Sequence, residues 1–244
     1  MRRTRRRVVS SAVAIKTWLK GDAHDLNTLT ELFPSGDTRV VKEGDSYYLA
    51  AAEVDNRPAG VPFYEVAPMV LQRVNGAARM LRDSFQPVKL TGQFGDGDRL
   101  HAVVWPKSVE ARAAVGQPTI AVNGVVQPVP APRGPGYVAL AALSPGVREV
   151  LDLMGRAGKD PSWLDLYKVF EIIREDIRPD RIEGRGWATT ADSSAFTASA
   201  NRPDVSGIGA RHARLAGSPP KRTMTIDEGR RFIFRLATTW MDSL

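Results

Sequence analysis

The chain has 244 residues, of which 43% are apolar, so it can build one large domain or two modest ones. The absence of cysteine excludes thiolate chemistry, disulfide bonds and cysteine-ligated zinc. Three histidines spread over the chain also argue against a transition-metal centre, so we expect a globular protein without a metal or another cofactor.

The net charge of +7 is concentrated at the N-terminus. Residues 1–20 contain seven basic residues and no acid, so the remaining 27 basic residues balance the 27 acidic ones. We interpret 1–20 as a basic arm that leads into a helix and that can bind RNA or DNA, with a solvated arm as the alternative. The arginines of this arm are Arg2, Arg3, Arg5, Arg6 and Arg7.

The apolar run that follows these arginines resembles a secretory signal but is short and ends at Lys16. No stretch of the sequence approaches the length of about 20 apolar residues that a membrane helix needs. We therefore expect no membrane association and a cytoplasmic location.

Residues 21–127 predict a mixed α+β domain with antiparallel strands. A helix is expected over 25–33, followed by a hairpin around Glu43-Gly44-Asp45. Apolar residues at helical spacing predict a second helix over 67–84, although Asn75-Gly76 weakens its middle.

Strands then dominate as far as a predicted linker. Strand-like runs cover 87–94 and 99–109, and Asn123-Gly124 is the preferred pair for a two-residue hairpin turn. The segment 128–136 is rich in proline and glycine, which is typical of a boundary between domains.

Residues 137–244 predict an all-helical domain of about four helices, so the fold class is α+β. One helix begins at Ser144-Pro145 and ends at Gly155, and a long apolar helix begins near Asp160-Pro161 and ends at Arg178-Pro179. A shorter helix covers 192–200, and the last one opens with a capping box formed by Thr225 and Glu228.

The candidate catalytic residues are Glu171, Asn201, Arg211 and His212. Tyr167 and Glu171 lie four residues apart on one helical face, and Glu171 is expected to be buried and to need a cationic partner, for which Arg211 is the candidate. An arginine held by a carboxylate beside a histidine can bind a phosphate while the imidazole transfers protons.

Each of these residues also has a structural alternative. Glu171 can pair only with Lys168 or Arg174 on its own helix, and Asn201 can end the preceding helix in a left-handed turn. Arg211 can bind carbonyl groups at a helix end, and His212 can be a structural or exposed histidine.

The segment 202–222 is the second basic feature of the chain. It carries five basic residues against Asp204, a local charge of +4. We predict that Arg202 and Arg214 in this loop contribute to RNA or DNA binding, whereas solvated loop charges are the alternative.

The last third of the chain resembles a family of uncharacterised bacterial and phage proteins. The resemblance rests on "WLDLYKVFE", on "SAN" and on "GIGARH", which match the pattern W-x-x-L-Y-K-x-x-E, a T/S-A-N turn and G-x-x-A-R-H. It draws attention to Trp163, Tyr167, Lys168 and Glu171 in the helix, and to Asn201, Arg211 and His212 after it, without implying a reaction.

The helical half is also similar to HEPN domains, helical bundles that often act as metal-independent ribonucleases. That resemblance implies a composite site across a homo-oligomer, although Arg211 and His212 are adjacent here rather than four to six residues apart. The expected function is a metal-independent ribonuclease or phosphodiesterase. The alternatives are a non-catalytic nucleic-acid- or protein-binding assembly module of phage or bacterial defence origin, and an enzyme with a small-molecule site between the halves.

Overall fold

The computed structural model describes residues 15–96, 99–103, 121–122, 125–126, 131–156, 160–215, 217 and 221–244. Within these residues, the N-terminal half contains a five-stranded antiparallel sheet and the C-terminal half is mostly helical, as the α+β prediction states. The strands are β1 (Ile15–Lys20), β2 (Thr38–Glu43), β3 (Ser46–Ala51), β4 (Lys89–Asp96), β5 (Arg99–Ala102), β6 (Ala121–Val122) and β7 (Val125–Val126).

The helices of the described residues alternate with these strands in the first half and follow one another in the second. They are α1 (Ala23–Leu32), α2 (Ala52–Asp55), α3 (Phe63–Leu81), α4 (Gly134–Leu143), α5 (Pro145–Met154), α6 (Trp163–Asp176), α7 (Thr190–Asn201), α8 (Pro203–Ser206) and α9 (Ile226–Met241). Helix α4 was not predicted, because its sequence begins within the proline- and glycine-rich segment.

The sheet has the strand order β2-β3-β1-β4-β5, which places β1 at its centre. In β1, Ile15, Thr17 and Leu19 are buried and alternate with more exposed residues, as in a strand with one face on the core. The predicted basic arm is therefore corrected for 15–20, which form a strand rather than an arm leading into a helix.

Two hairpin predictions agree with the strand pairing. Strands β2 and β3 pair from Thr38↔Ala51 to Glu43↔Ser46, and Gly44 in the turn has a φ of 59°. Strands β6 and β7 pair Val122 with Val125, although Asn123 and Gly124 themselves lie outside the described residues. Residues 104–109, the last part of the predicted strand run over 99–109, also lie outside the described residues.

Helix α3 contacts α5 so closely that glycine is needed at the crossing. A Cβ on Gly76 would lie 2.1 Å from the carbonyl oxygen of Leu151, and a Cβ on Gly155 would lie 1.7 Å from that of Gln72. The Asn75-Gly76 pair, which we expected to weaken the helix, therefore sits where the helix packs most tightly.

Asn75 connects α3 to the residues that lead into β4. Its side-chain amide donates to the Val88 carbonyl (2.9 Å), and its Oδ1 accepts from the Val88 N–H (3.1 Å). Both residues are buried, so this pair satisfies two backbone groups that water does not reach.

Capping residues mark the first residues of three helices in the second half. The Ser144 hydroxyl accepts from the Val147 N–H at the start of α5, and Thr225 and Glu228 form the predicted capping box of α9. Helix α6 begins at Trp163, later than predicted, because Ser162 and Asp165 form a capping box there.

The core extends through both halves of the described chain. Helix α3 packs against α4, α5 and α9, and the buried apolar residues form one cluster from Ile15 to Met241. The proposed division into domains 21–127 and 137–244 stays a prediction. Among the residues that the structure describes, no helix is long and apolar enough to cross a membrane.

Candidate functional site

Tyr167 and Glu171 form the base of the candidate site, on the face of α6 that meets the chain after α7. The Tyr167 side chain is buried, and its ring lies almost parallel to that of Phe196 in α7, with the centroids 6.4 Å apart. The Phe196 ring thus supports the Tyr167 ring from the side of the core.

Arg211 lies against this base. Its guanidinium carbon is 4.5 Å from the centroid of the Tyr167 ring, and its Nη2 is 3.6 Å from Glu171 Oε1. The predicted ion pair between Arg211 and Glu171 is thus present, and it is accompanied by a cation–π contact. The guanidinium is therefore held by two contacts, one with the Glu171 carboxylate and one with the face of the Tyr167 ring.

The environment of Glu171 differs from our expectation in two respects. Its side chain is 37% exposed rather than buried. Arg174 lies 3.9 Å from the same carboxylate oxygen, whereas Lys168 pairs with Glu149 at 2.7 Å. Glu171 is therefore shared between Arg211 and Arg174.

The backbone of the Arg211-His212 turn is anchored to the end of α7. The Arg211 N–H donates to the Ala200 carbonyl (2.8 Å), and the His212 N–H donates to the Asn201 carbonyl (3.4 Å). These carbonyls belong to the last turn of a helix, where no N–H of the helix itself is available. The turn thus satisfies the helix end, and the backbone of both residues is fixed there.

Asn201 is not the left-handed helix end that the structural alternative describes. It is the last residue of α7 and not a left-handed cap, since Arg202, with a φ of −99°, follows as the C-cap. Its carbonyl anchors His212, while its Oδ1 is buried and has no hydrogen-bond partner in the described part of the chain. The backbone of Asn201, rather than its side chain, joins it to the site.

Arg202 is engaged within the protein, which argues against its predicted contact with nucleic acid. The side chain is buried, and its guanidinium donates to both carboxylate oxygens of Asp204 (3.0 and 2.8 Å) and to the Gly217 carbonyl. This guanidinium lowers the pKa of Asp204. Arg202 thus connects the start of the loop, at α8, to Gly217 near its end.

Other cations of the basic loop are also partly neutralised. Arg222 donates to Asp192 (2.6 Å), and the Thr189 hydroxyl together with Arg222 lowers the pKa of that carboxyl. Arg214 and Lys221 are exposed, and neither has an ion pair within the described residues. The arm arginines from Arg2 to Arg7 lie outside the described residues. The loop therefore presents less free positive charge than its composition indicates.

The structure brings the four predicted catalytic residues together as two linked pairs. Glu171 contacts Arg211 through side chains, and Asn201 holds His212 through the backbone. The His212 side chain is exposed. Sequence reasoning missed the Ala200 carbonyl and the stacking of Arg211 on Tyr167, although it had placed Tyr167 on the same helical face as Glu171.

The described residues include no cluster of three histidine, aspartate or glutamate side chains that could hold a metal ion. The arrangement instead offers a fixed guanidinium and a neighbouring imidazole, which are groups for binding an anion and for transferring a proton. No protein-family model, no curated protein and no solved structure matches the chain.

Proposed function

We propose that the protein binds RNA at the Arg211-His212 turn and cleaves its phosphodiester bonds without a metal ion. The observation that carries this proposal is the position of Arg211, which is held by Tyr167, Glu171 and the end of α7 and is followed in the chain by an exposed histidine. A preorganised cation next to an acid–base group is the minimum that such a reaction needs.

Arg211 supplies the phosphate-binding group. Its stacking on Tyr167 and its 3.6 Å contact to one oxygen of Glu171 use only part of the donor capacity of the guanidinium. The side chain is about one-third exposed, so the remaining N–H groups can donate to a phosphate. Glu171 positions this guanidinium and does not itself contact the substrate.

His212 supplies the proton transfer. The imidazole accepts the proton of an RNA 2′-hydroxyl while the 2′-oxygen attacks phosphorus, forming the new P–O bond of a 2′,3′-cyclic phosphate. The bond from phosphorus to the 5′-oxygen breaks, and the resulting imidazolium returns the proton to that leaving oxygen. Arg211 stabilises the negative charge that develops on the phosphoryl oxygens.

The test is cleavage of single-stranded RNA by the purified protein in EDTA. His212→Ala is expected to lower the rate by about 100-fold or more, and Arg211→Ala by a similar factor, because these are typical effects of removing an acid–base group or a charge-stabilising donor. His24→Ala, which removes a histidine from α1, is the control and should retain full activity. DNA of the same sequence should stay intact because it lacks the 2′-hydroxyl.

Equal cleavage, or none, by the wild type and His212→Ala would contradict the catalytic proposal. If RNA binds but is not cut, and if Arg211→Ala weakens that binding, the chain is instead a non-catalytic nucleic-acid-binding module. The same set of proteins therefore separates the catalytic function from the binding function.

The second candidate function is that of an assembly module, and exposed apolar residues beside the site favour it. Ile208 is fully exposed in the loop that leads to Arg211, and Leu164 and Leu215 are also exposed. A Cβ on Gly209 would lie 3.8 Å from Trp163, so this loop rests against the start of α6, next to Leu164. Exposed apolar side chains of this kind are available for contact with another protein surface.

For this candidate, we expect the wild-type chain to form a homo-oligomer that Ile208→Ser dissociates. Light scattering after size-exclusion chromatography measures the mass. Leu244→Ser, which changes an exposed leucine after α9, should leave the mass unchanged. A monomeric wild type would remove the support for self-assembly.

A further inference from the structure

Arg174 is the second cation at the Glu171 carboxylate. Its Nη2 lies 3.9 Å from Glu171 Oε1, and Arg211 Nη2 lies 3.6 Å from the same oxygen. The two nitrogens are therefore no further apart than these two distances combined, and one carboxylate serves two guanidinium groups. Neither contact is short enough for a hydrogen bond. Within the described residues no other group binds the Arg174 side chain, which is 49% exposed, so its N–H donors are available to a ligand.

The charged residues one turn away from Glu171 on α6 do not neutralise this pair of arginines, because they are already paired. Glu175 lies 3.1 Å from Arg178, and Lys168 lies 2.7 Å from Glu149. Each of these pairs has no net charge. One positive charge therefore remains on the two arginines that share Glu171.

A cavity of about 320 Å³ lies beside Arg174, between α6, the residues that follow it and α7. We call it the Arg174 cavity. Buried Phe170 and Ile182 form the apolar part of its lining. Four hydroxyl side chains that recur at helical spacing along α7 also line it: Thr190, Ser193, Ser194 and Thr197. The volume lies at the lower end of the range of about 300–1,000 Å³ that is typical of ligand sites.

One further cation and one acid line the Arg174 cavity. Arg181 lies 3.7 Å from Glu183, so these two form a pair of their own. The Ser193 hydroxyl is the main cause that lowers the pKa of Glu183, and Arg181 also lowers it. An ionised carboxylate repels a phosphate but accepts hydrogen bonds from a neutral sugar or base. A phosphate is therefore expected at Arg174, with an uncharged group inside the cavity.

The Arg174 cavity and the Arg211-His212 turn lie along the same helix. Thr197 of the cavity lining is one turn before Asn201, whose carbonyl accepts from the His212 N–H. Neighbouring phosphates of a single strand are joined by one nucleoside. A strand that is bound at the turn thus has the cavity as its next site along α7.

We infer that the site recognises a strand rather than a single nucleotide. Arg211 holds the phosphate that reacts, Arg174 holds the neighbouring phosphate, and the Arg174 cavity takes the nucleoside attached to that second phosphate. This inference rests on the proposed function for the identity of the ligand. It makes two phosphates on one strand the smallest unit that the site recognises fully.

The experiment is calorimetric titration of the full chain with thymidine oligomers that contain one phosphate or two. These oligomers lack the 2′-hydroxyl and are not cut, so binding is measured apart from cleavage. We expect the second phosphate to tighten binding to the wild type by about fivefold, the upper effect of one charge pair at a partly exposed site. Arg174→Gln should lose most of this gain. Arg178→Gln, which removes an exposed arginine outside the cavity, is the control and should keep it.

A purely structural role of Arg174 predicts a different pattern. If Arg174 acts only by positioning Glu171 and Arg211, Arg174→Gln should change the affinity for both oligomers by the same factor. Ser194→Leu, at an exposed position of α7, fills the cavity and should remove the gain without changing the binding of the one-phosphate oligomer.

The inference is overturned if neither oligomer binds the wild type at about 10 mM, a concentration that would nearly saturate a site with a Kd of about 1 mM. It is equally overturned if the second phosphate brings no gain, or if Arg174→Gln or Ser194→Leu keeps the gain. The expected binding pattern without any cleavage of RNA would contradict the proposed catalysis alone. RNA that Arg174→Gln cuts with the kcat/KM of the wild type would contradict this inference alone.

Discussion

Gly76→Ala is expected to lower the free energy of unfolding by about 3 kcal/mol, the upper part of the range for inserting a methyl group into a packed interior. The new Cβ would lie 2.1 Å from the Leu151 carbonyl oxygen and 2.8 Å from its carbon. These are backbone atoms within α5, so no side-chain rotation relieves the clash. Helices α3 and α5 would have to separate, which opens the core on both sides of the crossing.

Urea unfolding followed by circular dichroism measures this loss, and Gly136→Ala is the matched control. Gly136 lies in α4, and a Cβ there would meet nothing within 4 Å. Because alanine favours the helix over glycine, Gly136→Ala should instead stabilise the protein by about 0.5–1 kcal/mol. Changes of the same sign and size in the two variants would show that the α3–α5 crossing does not require a glycine.

Asn75→Leu is expected to lower the free energy of unfolding by about 2–4 kcal/mol, because it leaves two buried backbone groups without partners. The N–H and the carbonyl of Val88 both bind the Asn75 side chain, and both residues are buried. Leucine keeps the branching of asparagine at Cγ, has no polar atom and is the larger of the two, so the loss does not come from a cavity.

Gln72→Leu on the same helix is the control for Asn75→Leu. Gln72 makes a single hydrogen bond, to the Asp152 carbonyl (2.7 Å), and it is half-exposed. Water can replace that bond, so a loss of only about 1 kcal/mol is expected. Hydrogen exchange adds a local measurement, since the Val88 amide should exchange faster in Asn75→Leu. Unchanged exchange at Val88 would contradict the assigned hydrogen bond.

Features with a local cause could be predicted from the sequence. The Ser144 cap and the Thr225–Glu228 capping box each depend on residues within one helical turn. The requirement for Gly76 could not be predicted, because it arises from Leu151, a residue 75 positions away. Strand β1 could not be predicted for a related reason. Its six residues include Lys16 and Lys20, so the sequence indicates a continuation of the basic arm. Only the structure shows that alternate residues of this segment are buried on one face.

The candidate site was predictable in its residue types and only partly in its geometry. The need of Glu171 for a cation led to Arg211, and the two side chains do meet. The burial of Arg202 was not visible in the sequence, since it requires the Gly217 carbonyl as well as Asp204. The alternative of a left-handed turn at Asn201 came from its residue type alone, whereas Asn201 remains helical and Arg202 is the C-cap.

The contact from Arg202 to Gly217 gives the loop a further property. It closes the chain into a ring across 15 residues, and Arg211 and His212 lie within that ring. The entropy lost on joining the ends of such a loop is incurred when the protein folds, so a ligand that arrives later has less disorder to remove. A buried arginine can thus restrict the positions that its exposed neighbours reach, which would favour the binding of any ligand that those neighbours contact.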